Sequence, residues 1–157
     1  MPDRWLIIDG NNLLHHHAEL TRLAGSDFEQ ARQRLVQMLD EVGGELGYER
    51  VTVVFDGRGA KVQPATLSPH VQVLFSPAHL TADSIIERLV QDAPERDRLL
   101  IVSSDRCERD TVEAAGGSTM SCSNFLDLLE ERRRQVTQKV RNSRHPSSGG
   151  KLGDFMP

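Results

Sequence analysis

Three near-continuous apolar runs in this chain each lead into an aspartate. Trp5–Ile8 runs into Asp9, Val51–Phe55 runs into Asp56, and Leu99–Val102 reaches Asp105 after two serines. Short runs rich in β-branched residues, without polar alternation, are the pattern of strands covered on both faces, as in a parallel sheet. A fourth run, Val71–Phe75, has the same character. In a parallel sheet all carboxyl ends lie along one edge, and ligands bind in the crevice outside it. Asp83 falls in the first turn of the helix expected after Val71–Phe75, so it belongs to that edge too. Four carboxylates distant in sequence are thereby expected on one edge.

Helical patterns separate the runs. Ser26 with Glu29 makes a capping box ahead of Phe28–Leu46, where Ala31, Leu35, Met38, Leu39 and Val42 recur at helical spacing. Thr81 is the expected N-cap of Ala82–Val90. A further helix follows Asp105 and ends at Gly116–Gly117. Ser118–Met120 reads as a short fifth strand and Ser123–Val140 as the last helix. This alternation predicts a three-layer α/β/α sandwich with a mostly parallel, Rossmann-like central sheet. The 157 residues suffice for one such domain, expected over residues 1–140. Residues 141–157 read as a basic, disordered tail, because Arg144–Pro157 is rich in Pro, Gly and Ser and has no periodicity.

The net charge of −4 hides an asymmetry. Residues 1–131 carry 12 Lys and Arg against 22 Asp and Glu, whereas residues 132–157 carry 7 against 1. An acidic body argues against nucleic-acid binding by bulk charge, but not against a site where clustered carboxylates hold cations that face phosphate. The apolar runs are too short for a membrane span or a signal-peptide core. Cys107 and Cys122 have neither metal-ligand spacing nor disulfide density, which fits a reducing, cytoplasmic setting.

Carboxylates gathered at one edge repel unless a cation lies between them. All-oxygen ligands suit Mg²⁺ or Mn²⁺, which can activate water against a phosphodiester. Asn12 and Ser104 add neutral polar groups suited to a phosphate or an ordered water. Each aspartate taken singly also suits the bland role of helix N-cap or turn residue.

The segments Ile7-Ile8-Asp9-Gly10-Asn11-Asn12, Val53-Val54-Phe55-Asp56-Gly57, Val73-Leu74-Phe75-Ser76, Thr81-Ala82-Asp83-Ser84 and Val102-Ser103-Ser104-Asp105, then Met120-Ser121 with Phe125-Leu126, follow one another in order. In order and spacing they resemble the YacP-like NYN family of the PIN-like nuclease superfamily. The resemblance runs from about residue 5 to 131. It implies a PIN-like fold and metal-dependent endoribonuclease activity, with some members acting in connection with ribosomes. It implies Asp9, Asp83 and Asp105 as metal ligands and catalytic residues, Asp56 as a ligand or outer support, and Asn12 as the group that orients Asp9 or a phosphate. Two departures stand out. Asn11 replaces the family's usual Tyr, which is expected to alter a surface contact. Leu80 stands where a Glu is frequent and removes a fifth acidic ligand.

Other features carry weaker signals. Consecutive helical side chains point about 100° apart, so His15-His16-His17 cannot converge on one ion and reads as a solvated helix face. Gly57-Arg58-Gly59-Ala60-Lys61 fails a dinucleotide fingerprint; Arg58 and Lys61 are candidate phosphate contacts in the loop that runs to Pro69. Arg106 is a further candidate substrate contact, although it and Arg109 also suit salt bridges with Glu108, Asp110 or Glu113. Cys107 reads as packing. The basic C-terminal region is a candidate RNA contact by counterion release. Two other readings stand beside the nuclease. One is a non-catalytic RNA- or ribosome-binding module. The other is a Rossmann-like phosphatase using Asp9 as nucleophile, where Asn11 replaces the second Asp that such sites carry two residues on.

Overall fold

In the computed structural model, residues 4–57 and 70–144 are described. Five strands form one sheet in the order β3-β2-β1-β4-β5, every pair parallel. They are β1 (Trp5–Asp9), β2 (Arg50–Phe55), β3 (Gln72–Phe75), β4 (Leu99–Val102) and β5 (Ser118–Met120). The helices are α1 (Gly10–Leu14), α2 (Ala18–Ser26), α3 (Phe28–Val42), α4 (Ala82–Asp92), α5 (Arg106–Ala114) and α6 (Cys122–Arg144). The expected three-layer sandwich is therefore the observed fold, and among the described residues no helix is long and apolar enough to cross a membrane.

Side chains of β1 alternate between two cores. Leu6 and Ile8 pack with Leu35, Leu39, Phe125 and Leu129 on the face covered by α3 and α6. Trp5 and Ile7 pack with Ile86, Val90 and Val112 on the face covered by α4 and α5. Burial on both faces is why the runs lack polar alternation. The period of two assigns Asp9 to the α4/α5 face, the parity of Trp5 and Ile7.

The chain leaves β1 toward β2 and β3, then crosses back to β4 and β5 on its other side. The order reverses between β1 and β4, and their carboxyl ends flank the crevice where such sheets bind ligands.

Three local expectations are corrected. Ser26 does not cap α3: it is the last residue of α2, and Asp27 is the cap, its Oδ1 accepting the Gln30 N–H at 3.3 Å. The Ser26–Glu29 signal was displaced by one residue because α2 ends where α3 begins. His15-His16-His17 is not a helix face. His15 ends α1, and His17 caps α2 by accepting the Leu20 N–H on Nδ1. The last helix starts one residue earlier than expected, at Cys122, and continues through Arg144, past the expected domain end at residue 140.

Candidate active site

Each acidic residue reaches the crevice for a local reason. Asp9 is the last residue of β1 and the N-cap of α1, Oδ1 accepting the Asn12 N–H at 3.3 Å. Asp83 lies in the first turn of α4, whose cap Thr81 accepts the Ser84 N–H. Its helical spacing to Ile86 and Val90 puts it at the head of the stripe facing the core. Asp105 is the N-cap of α5, Oδ1 accepting the N–H groups of Cys107 at 2.9 Å and Glu108 at 3.3 Å. That cap fixes the phase of α5, and Glu108 falls on its buried stripe one turn before Val112.

Carboxylate oxygens of Asp9, Asp83 and Glu108 all lie within 4.8 Å of one another. Asp9 and Glu108 are each only 5 % exposed. Burial lifts the Asp9 carboxyl to about 7; the Asn12 N–H works against this, and the charges of Asp83 and Asp105 add to it. Burial likewise pushes Glu108 up to about 8, with the Ser103 hydroxyl lowering it and Asp83 and Asp9 raising it. Both oxygens of Glu108 are buried and make no hydrogen bond of ordinary geometry, although the Ser103 hydroxyl lies near enough to ease its charge. A buried carboxylate left unsatisfied is expensive, and three acidic groups facing one another compound the cost. A divalent cation with bonds of about 2.1 Å to oxygen would satisfy all three after a small side-chain adjustment. The residues present fit such an ion.

Sequence reasoning placed Asp9 and Asp83 in this group and missed Glu108, which it considered only as a salt-bridge partner. The missed signal is spacing: Glu108 lies three residues after the capping Asp105 and four before the apolar Val112, on the inward stripe of a short helix. Among the described residues no ion pair joins Arg106 or Arg109 to Glu108, Asp110 or Glu113, and Arg106 is exposed in the first turn of α5. Asp105 lies close enough for its charge to act on Asp9. Asp56 is half-buried at the end of β2 and is not one of the three converging carboxylates. Arg58 and Lys61 lie outside the described residues. Cys107 is exposed rather than packed, and the buried cysteine is Cys122.

The two asparagines after Asp9 brace the crevice walls. Asn11 Oδ1 accepts the Asp56 N–H at 2.9 Å, tying β1 to the end of β2. The position expected to alter a surface contact thus makes a strand-end tie. Asn12 Oδ1 accepts the Ser104 N–H at 2.7 Å and the Cys122 thiol at 3.1 Å, tying β1 to the loop after β4 and to the start of α6. Ser104 Oγ accepts the Cys122 N–H at 3.2 Å.

With this geometry in place, the comparisons with known proteins become informative. The YacP-like NYN domain profile matches residues 6–154. The chain belongs to the YacP-like NYN family. The Bacillus subtilis (strain 168) protein YacP is 29 % identical over 149 residues, covering 94 % of this chain and 87 % of YacP. The crystal structure of Bacillus subtilis Rae1 (YacP) superposes with a TM-score of 0.76 at 29 % identity, over 91 % of this chain and 84 % of Rae1. Its W164L mutant gives 0.75 at 27 % identity with the same coverage. Membership of this family, part of the PIN-like nuclease superfamily, supports a ribonuclease function, and the acidic cluster is compatible with a divalent metal.

Proposed function

We propose that the protein is a metal-dependent endoribonuclease that hydrolyses internal phosphodiester bonds of RNA. One observation carries this reading: the buried carboxylates of Asp9 and Glu108, from β1 and α5, converge within 4.8 Å with that of the half-buried Asp83 from α4, and no hydrogen bond of ordinary geometry satisfies Glu108. Asp9, Asp83 and Glu108 would hold Mg²⁺ or Mn²⁺, which when bound supplies Lewis-acid activation of water and neutralises developing charge on the phosphodiester.

The chain's own residues do the rest. Asp9 is held in orientation by the Asn12 N–H. Asp105 keeps the first turn of α5 in place and so aims Glu108; it also adds negative field at Asp9. Asn12 and Ser104, expected as phosphate contacts, act as the brace that keeps the β4 wall at fixed distance from Asp9. Arg106 stands exposed at the rim, where it can take a phosphate of the incoming strand. Asp56 supports the crevice from the β2 side, and Arg58 and Lys61 follow it in sequence as candidate contacts. Ribosome association is carried over from the family, and a cytoplasmic setting rests on the sparse cysteines.

The test is cleavage of an internally labelled RNA by purified protein with Mn²⁺, with Mg²⁺ and with EDTA. Internal cuts that need the cation and vanish in Asp9→Asn and Asp83→Asn proteins of normal circular dichroism support the reading. Equal products from parent and both variants overturn it. Cosedimentation with ribosomes tests the association separately.

A further inference from the structure

Helix α6 carries positive charge away from the acidic site to the opposite edge of the sheet. It starts at the carboxyl edge, where Cys122 Sγ donates to Asn12 Oδ1. At about 1.5 Å per residue, Arg141 lies roughly 29 Å further along the axis. Ion pairs to the far end of α3 pin this course. Arg133 meets Glu41 at 3.1 Å, and Lys139 meets Glu45 at 2.9 Å in the turn leading to the amino end of β2.

From Arg132 to Arg144 the helix carries six cations and no carboxylate. Arg134 and Arg141 are exposed and join no ion pair among the described residues. Seven residues apart, they share one helix face about 10 Å apart along the axis. With Thr137 and Gln138 they line one open depression, which also takes in Arg133 with its ion-pair partners Glu41 and Glu130. The favourable field at a helix C-terminus accounts for cations in the last turn only, and Arg134 lies almost three turns before the end. Two unpaired guanidinium groups on one face, on a body otherwise acidic, suit a polyanion backbone.

We infer that the Arg134–Arg141 face of α6 is a second RNA-binding surface, gripping backbone phosphates about 18–29 Å along the helix from its start beside the acidic site. This rests on the reading of RNA as substrate. The separation has a consequence for length. At about 3.4 Å per stacked nucleotide, roughly five nucleotides reach Arg134 and roughly nine reach Arg141 in a straight line. Short substrates therefore reach only the acidic site, and long ones engage both surfaces.

The test uses the full-length protein with fluorescent 4- and 30-nucleotide RNAs, binding read by anisotropy in EDTA so that cleavage does not intervene. An Arg134→Gln/Arg141→Gln protein is expected to bind the 30-mer at least about fivefold more weakly, with the salt slope reduced by about 1.4 for two lost phosphate contacts. Its binding of the 4-mer and its kcat on the 4-mer with Mn²⁺ should match the parent. An Arg134→Lys/Arg141→Lys protein should keep the salt slope. Unchanged 30-mer affinity, or equal losses for both lengths, overturns the proposal. If the parent cleaves RNA and the double variant binds the 30-mer normally, this surface falls alone. If the parent neither binds nor cleaves RNA, the RNA-substrate reading falls with it.

Discussion

Asn12 Oδ1 accepts the backbone N–H of Ser104 at 2.7 Å, joining two residues 92 positions apart across the crevice. The same oxygen takes the Cys122 thiol, so one amide holds the ends of β1 and β4 and the start of α6 together. Replacement by alanine leaves both donors without an acceptor, at a cost of about 1–3 kcal/mol. Asn12→Ala should lower the melting temperature by several degrees and reduce cleavage by loosening the wall beside Asp9. A variant melting like the parent would remove Asn12 as the brace.

Glu108 gives a signature that a merely structural residue would not. Its carboxyl is buried beside Asp9 and Asp83 without a hydrogen bond of ordinary geometry. Glu108→Gln keeps the shape and removes the charge. In EDTA the variant should melt higher than the parent, most of all above about pH 8, where the Glu108 carboxyl has lost its proton and stands as an uncompensated buried charge. Its cleavage rate should fall by at least about 100-fold. Thermal melts and rates measured on the same preparation read both effects, and a variant both less stable and fully active would remove Glu108 from the site.

The raised acidities fix a sign for pH dependence. Asp9 moves from 3.8 to about 7 and Glu108 from 4.5 to about 8. Between about pH 4 and 8 the folded state keeps protons that the unfolded chain has released. Stability contributed by these groups therefore falls as pH rises through that window. Below it the penalty is absent; above it the penalty is complete. In EDTA the melting temperature should drop between pH 6 and pH 8.5, with a shallower slope in Glu108→Gln. Saturating Mn²⁺ should raise it more at pH 8 than at pH 6, since the cation no longer competes with protons. A cation effect independent of pH would contradict this.

The strands were legible because their burial on both faces removes polar alternation, and Asp9 and Asp83 were legible because each follows directly from a strand end or a helix start. Glu108 was not. Its inward direction depends on the phase of α5, which the Asp105 cap sets, and Arg106 and Arg109 on either side of it made a salt bridge the natural reading. The ties of Asn11 and Asn12 were hidden for another reason. They join β1 to both its neighbours, and which strands neighbour β1 is a property of the sheet order, not of any local window. The split between α2 and α3 escaped notice because their junction, Ser26-Asp27, offers two good capping residues in succession.

Asp105 poses the sharpest question, because it meets both descriptions offered for an aspartate at a strand end. It caps α5 with two N–H groups, and its charge acts on Asp9. Asparagine caps a helix about as well as aspartate, whereas alanine does not, at a cost of about 0.5–2 kcal/mol. If Asp105 serves by aiming Glu108, Asp105→Asn should keep the parent's melting temperature and most of its activity, and Asp105→Ala should lose both. If Asp105 is also a metal ligand, Asp105→Asn should keep the melting temperature in EDTA and yet lose activity and Mn²⁺ affinity. We expect the second pattern in part: Mn²⁺ affinity reduced by about 10-fold or more in Asp105→Asn, with stability unchanged. Calorimetric titration of Mn²⁺ into the two variants decides it, and full Mn²⁺ affinity in Asp105→Asn would leave Asp105 as a cap alone.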